Sequence, residues 1–185
     1  MAKPKAKAKA KAKKVKKKTG KKTAKRRVAP SALSRLPRHR QYGALALRVG
    51  ARDQIEVLLL TSRGTGRWVI PKGWPMRNRT PAGTAKREAF EEAGVKGELW
   101  SKKPIGSFRY FKRDENFSGE ILVRVFVLGV EQQKKNWPEK DERRVRWFSL
   151  RQAAALVKER ELAKLLRSVP RLLFNPRTVR ARRKK

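Results

Sequence analysis

Three glutamates, Glu88, Glu91 and Glu92, stand at i, i+3 and i+4 in the segment "PKGWPMRNRTPAGTAKREAFEEAGV", residues 71–95. Residues three and four apart share one face of an α-helix, so helical geometry would gather the three carboxylates into one cluster. Like charges at that spacing repel, and a helix gains nothing from them alone. One remedy is a solvated acidic face paired to Lys86 and Arg87. The other is a hard divalent cation, for which carboxylate oxygens are the preferred ligands. The background makes the cluster conspicuous. Of 185 residues, 52 are Lys or Arg and only 15 are Asp or Glu, for a net charge of +37, so one fifth of the acids lie in this segment.

The surrounding signals place those acids on a helix. Thr80 is a good N-cap, Pro81 suits a first helical turn, and Gly94 supplies a C-terminal stop. The helix between them has about 13 residues. Ala82, Ala85, Ala89 and Ala93 line an adjoining stripe, small enough for the helix to lie close on a sheet and hold the acids at its edge. Strands are expected at "YGALALRV" (42–49), "QIEVLLLTS" (54–62) and "RWVIP" (67–71), the first two joined by a turn around 50–53. A hairpin is expected from "KPIGSFRYFK" (103–112) and "EILVRVFVLGV" (120–130), turning around 114–119. "RRVRWFSL" (143–150) is a further strand, followed by helical "RQAAALV" and "ERELAKLLRSV". Strands on both sides of a central helix, with helices at the end, predict an α/β or α+β sandwich.

Composition limits the chemistry. There is no cysteine, which excludes disulfides and thiolate metal sites, and one histidine, His39, to which no role is assigned. A bound metal would be held mostly by oxygen, which points to Mg²⁺ or Mn²⁺. No apolar run reaches transmembrane length, and no apolar stretch follows the positive N-terminus as in a secretory signal. A cytoplasmic location is expected, with nucleoid association if the chain binds nucleic acid. Residues 1–28 hold thirteen Lys, two Arg and no acid. Such a segment cannot bury enough apolar surface to order itself, and its like charges suit sequence-independent binding of nucleic acid. The expected organisation is a Lys/Ala/Pro-rich arm (1–37), one domain (38–169) and a basic tail (170–185).

Gly73, Arg87, Glu88, Glu91, Glu92, Gly94 and Val95 resemble the Nudix box, Gly-x5-Glu-x7-Arg-Glu-U-x-Glu-Glu-x-Gly-U with U aliphatic; Ala89 fills the first U, and Arg79 replaces the first glutamate. Residues 41–157, with "SRGTGRWVIPKGW" and "WPEKDERRVRWFSLRQAAALV", resemble the diphosphoinositol-polyphosphate and diadenosine-polyphosphate phosphohydrolase branch of that family. The resemblance implies an α/β/α sandwich with a mixed sheet and hydrolysis of a phosphoanhydride in a highly phosphorylated small molecule. It implies Glu88 and Glu92 as metal ligands, Glu91 as base or further ligand, the Lys72 main-chain carbonyl as an extra ligand, and Arg87 as the residue that orients the acids. It implies substrate contacts at Arg38, Arg40, Ser62, Arg63, Lys72, Gly73 and Arg124. The box acid missing at Arg79 is an accessory to the metal cluster in the family, and an arginine there could face a phosphate instead. Trp74 would stack on a base or pack the loop; Trp68, Trp137 and Trp147 read as packing residues. Two other readings remain open: a nucleic-acid-associated protein with a weakened site, and an RNA 5′-pyrophosphohydrolase that holds RNA by its arm. Oligomeric state is not legible.

Overall fold

The structure is a computed structural model that describes residues 39–173. Arg38, the arm and the last twelve residues of the chain lie outside them. Eight strands form one sheet: β1 (His39–Val49), β2 (Ile55–Thr61), β3 (Trp68–Val69), β4 (Lys72–Gly73), β5 (Val95–Leu99), β6 (Gly106–Asp114), β7 (Phe117–Gln133) and β8 (Val145–Ser149). The helices are α1 (Pro81–Ala93), α2 (Leu150–Leu156) and α3 (Arg160–Leu173). The path of the sheet runs β3-β2-β1-β7-β5, with β4 also on β1, β6 on β7 and β8 on β2. β1 and β7 are parallel and the other pairs antiparallel, so the sheet is mixed.

β1 is buried on both sides, and its alternation sorts the layers. Ala44 and Ala46 face α1, in a cluster with Leu58, Leu60, Phe126, Leu128 and the alanines of α1. Leu45 and Leu47 face α2 and α3, in a cluster with Leu59, Phe108, Ile121, Val123, Leu162 and Leu166. The result is the expected α/β/α sandwich.

Two local expectations are corrected, one is narrowed, and one strand has no counterpart in the sequence reading. The segment 67–71 is not one strand. Trp68–Val69 pairs with β2 and Lys72–Gly73 with β1, and the chain changes partner at Pro71, which has no N–H to give to a ladder. The hairpin turns at residues 115–116, inside the expected 114–119, because Asp114 pairs directly with Phe117. β5 lacks a clear signal in the sequence; its pairing with β7 makes it a strand. α3 continues through Pro170, where the tail is predicted to start, to Leu173. Pro170 forfeits one helical hydrogen bond, but Val169 and Leu173 on either side of it are buried.

Candidate active site

α1 begins and ends as its sequence dictates. Thr80 Oγ1 accepts from the Gly83 N–H at 3.0 Å, and Pro81 occupies the first turn. Gly94 takes the left-handed conformation at φ 70°, which favours glycine. A Cβ at Gly94 would also come within 2.6 Å of the Trp137 ring, so Trp137 packs directly on the end of the helix.

That contact anchors a loop the site depends on. A helix leaves its last carbonyls without partners. Here Glu91 O accepts from Glu139 N at 3.1 Å, Ala93 O from Gln133 Nε2 at 3.0 Å, and Gly94 O from Lys134 N at 2.9 Å. The segment after β7 thus caps α1 and delivers Glu139 and Arg143 to the acids.

The three glutamates are held differently. Glu92 is 4% exposed. Its Oε2 accepts from the Lys72 main-chain N–H at 2.9 Å, and its Oε1 from Arg143 Nη2 at 2.5 Å. Burial works to raise its carboxyl, while the Lys72 and Arg143 charges and the Lys72 N–H work to keep it ionised. Arg143 is itself clamped, donating to Glu139 Oε2 at 2.7 Å and to Thr61 O at 3.1 Å. Glu91 accepts from Arg87 Nε at 2.5 Å.

Glu88 has no hydrogen bond or ion pair among the described residues. Burial, and then the negative charges of Glu92, Glu91 and Glu139, push its carboxyl up to about 7. Gly73 lies against it, and a Cβ at that position would overlap the Glu88 carboxylate. The box glycine is therefore a requirement of space. Among the described residues no three acids converge into a ready-made cation cage. The donor chemistry nonetheless suits a hard cation. One half-buried carboxylate is left uncompensated beside three others, and positive charge is what it lacks.

The remaining predicted residues are dispersed around this centre. Arg40 is exposed and lines a shallow cleft of about 340 Å³ with His39, Tyr42, Trp74 and Pro75. Trp74 is 39% exposed and meets His39 and Phe117 edge-on, at 6.3 and 5.7 Å between ring centres. Arg124 stands opposite Tyr42 in the β1–β7 register. Ser62 Oγ is hydrogen-bonded to Thr65 Oγ1 at 2.7 Å, inside its own turn. Arg63 pairs with Glu142 at 3.0 Å and Glu139 at 3.4 Å, and is linked to Glu92 by three successive ion pairs through Glu139 and Arg143. Arg79 is exposed on the loop before α1. Glu139 and Arg143 escaped the sequence reading. The signal that marks them is a second concentration of acids, Glu139, Asp141 and Glu142, in a chain with only 15.

Known proteins resemble this chain in sequence and in fold. In sequence, the chain is 30% identical over 132 residues to Nudix hydrolase 12, mitochondrial, of Arabidopsis thaliana, covering 69% of this chain and 64% of that protein. It is 32% identical over 111 residues to diphosphoinositol polyphosphate phosphohydrolase 3-beta of Bos taurus, covering 59% and 63%. The chain thus spans less than two thirds of the length of these relatives. In structure, it resembles a C. elegans Ap4A hydrolase binary complex with a TM-score of 0.55 at 22% identity, covering 73% of this chain and 97% of that one. It also resembles the NUDIX domain of Shewanella oneidensis NrtR complexed with ADP ribose, with a TM-score of 0.55 at 15% identity, covering 77% and 94%. At these identities the structures speak to the fold alone. The pattern that defines the NUDIX domain matches residues 38–169, and with the box helix, its capped ends and its glycine in place, the chain belongs to the NUDIX domain family.

Proposed function

We propose that the chain is a Mg²⁺- or Mn²⁺-dependent pyrophosphohydrolase that cleaves a phosphoanhydride in a highly phosphorylated small molecule. The candidates are an inositol pyrophosphate, a dinucleoside polyphosphate or a nucleotide. The observation that carries this reading is Glu88, half-buried and uncompensated among Glu91, Glu92 and Glu139, with Gly73 pressed against it. The substrate class is supported by the relatives, among them a diphosphoinositol polyphosphate phosphohydrolase.

Hydrolysis forms a bond from a water oxygen to phosphorus and breaks the bridging P–O bond. The water proton passes to a carboxylate, and the released phosphate leaves as the anion. Glu88 and Glu92 would hold the cation, joined by the Lys72 carbonyl and by Glu91 if that residue is not the base. When bound, the cation supplies positive charge to the phosphate oxygens. The protein's own part is positional. Arg143 and the Lys72 N–H fix Glu92, Arg87 fixes Glu91, and Gly73 leaves the space that Glu88 fills. Arg40 and Arg124 offer charge to phosphates, and exposed Trp74 offers a ring face to a base.

The test is hydrolysis of a panel with Mg²⁺ and with EDTA: inositol pyrophosphates, dinucleoside polyphosphates, nucleotides and triphosphorylated RNA. Turnover of one small-molecule class with Mg²⁺ alone is expected. Turnover of RNA only would favour the RNA 5′-end reading. The fifteen cations of residues 1–28 support a second, separate property, non-specific nucleic-acid binding. Deleting them should flatten the salt dependence of that binding and leave kcat on a small substrate unchanged.

A further inference from the structure

β6 is an edge of the sheet and pairs with β7 alone. Phe108 and Tyr110 point into the core on the α2 and α3 side. Strand alternation therefore turns Arg109, Phe111 and Arg113 to the α1 side, and all three are exposed. α1 packs farther along the sheet, over Ala44, Ala46, Phe126 and Leu128, and leaves this stretch open. The register carries the open face inward. Arg109 stands opposite Leu122, and Leu122 opposite Arg40. In the adjoining row Arg124 lies between Ser107 and Tyr42, and Tyr42 pairs with Gly73.

Phe111 is 64% exposed. Among the described residues its ring meets no other ring and no cation, whereas Phe117, Trp74 and His39 engage one another edge-on. The charges around it are uneven. Arg109 is shared with Glu161 at 3.4 Å and Glu120 at 3.8 Å. Arg113, Arg124 and Arg40 make no ion pair among the described residues, so arginines outnumber carboxylates on this face. Two kinds of occupant fit poorly. A further β-strand would need the outward N–H groups of β6, and Glu161 Oε2 already accepts from Arg109 N at 2.6 Å. An apolar protein surface would need a contiguous patch, and the neighbours of Phe111 on its face are Arg109, Arg113 and Glu120.

We propose that the open face of β6 and β7 docks a single-stranded polynucleotide, with an unpaired base stacked on Phe111 and a neighbouring phosphate on Arg113. Such a strand supplies both parts the face calls for, flat rings and closely spaced anions. Arg113 stands two residues from Phe111, roughly 7 Å along the strand, within reach of a phosphate beside the stacked base. A duplex hides its base faces, so the ring selects unpaired strands. Residues 1–28 attract phosphates whatever the bases do; this face would respond to the bases themselves. The docking is separate from the proposed hydrolysis, because it needs neither a cation nor the glutamates of α1.

The experiment is fluorescence anisotropy of the full-length chain in EDTA with two labelled probes: tetrathymidylate, and an abasic tetranucleotide with the same phosphates. Residues 1–28 attract both alike, and salt of roughly 0.3 M weakens that attraction. The parent should prefer the thymidylate. Phe111→Ala should bind it about tenfold more weakly and hold the abasic strand within about twofold of the parent. Phe111→Trp, which keeps a ring, should bind the thymidylate at least as tightly as the parent. Arg113→Gln should weaken both probes alike. Removing an exposed ring leaves no cavity, and melting curves check each variant. Equal affinity of the parent for the two probes would overturn the proposal, as would thymidylate binding within about twofold of the parent in folded Phe111→Ala. Unchanged binding of both probes by Arg113→Gln would strike its phosphate contact. Loss of binding to phosphatidylserine vesicles in Phe111→Ala, with thymidylate binding intact, would give the surface to a membrane instead.

Discussion

The two faces of the sheet are packed by opposite means. On the α1 side small meets small: Ala44 and Ala46 on β1 lie under Ala82, Ala85, Ala89 and Ala93, none more than 3% exposed. On the other side large aliphatic groups meet, with Leu45, Leu47 and Ile121 against Leu162, Leu166 and Val169. Alanine contacts bury little area, so α1 draws little hydrophobic stabilisation from its packing. It relies on its caps and on the loop that carries Trp137, Glu139 and Arg143. In exchange its backbone lies close to the sheet, and the acids gain a fixed position at the edge. One face supplies stability and the other supplies geometry.

The largest expected effect comes from breaking the joint of the geometric face. Arg143→Ala leaves Glu92 buried without its cation, and both partners are at most 7% exposed as side chains. Removing one member of a buried pair costs about 3–5 kcal/mol. Urea unfolding should register that loss, and Arg143→Ala/Glu92→Gln should recover part of it.

A pair of substitutions separates the faces. Leu166→Ala should cost about 2–5 kcal/mol through the cavity it leaves, with kcat per folded molecule little changed. Ala89→Leu should cost about 1–3 kcal/mol by overpacking, yet lower kcat far more, because it lifts the helix that carries the acids. Melting curves and active-fraction kinetics on both variants would show the crossing pattern. Equal losses of activity would erase the distinction.

Smaller in stability, and aimed at one contact, is Gly73→Ala. The atoms nearest its Cβ would be those at the end of the Glu88 side chain, which can turn aside. The fold should hold within about 1 kcal/mol while kcat falls roughly tenfold or more.

What local chemistry encodes was legible. Thr80, Pro81 and Gly94 bound α1 because capping involves neighbours within a few residues. The glutamate stripe follows from helical spacing alone. Arg143 was not legible as part of the site, for it meets Glu92 51 residues away, and among 52 basic residues nothing local distinguishes it. β5 was missed because "VKGEL" is a strand only through its pairing with β7.

The smallest expected effect is on pH dependence without cation. The Glu88 carboxyl, near 4.5 when unperturbed, is raised to about 7 in the folded chain. Between those values the folded state binds more protons than the unfolded one, so stability should fall as pH rises from about 4.5 to about 7 and then level off. Glu88→Gln should flatten that slope. Mg²⁺ competes with the same proton, so its apparent affinity should rise up to roughly tenfold per pH unit below 7 and plateau above it.

The central claim is that Glu88, left uncompensated by its own protein, is the carboxylate on which hydrolysis depends. Its most direct test is kcat/KM of the parent and Glu88→Gln, side by side with saturating Mg²⁺ at pH 8, on the best substrate of the panel. The account predicts a loss of about a hundredfold or more in a protein that melts at the same temperature or slightly higher without metal. Undiminished turnover by folded Glu88→Gln would contradict it.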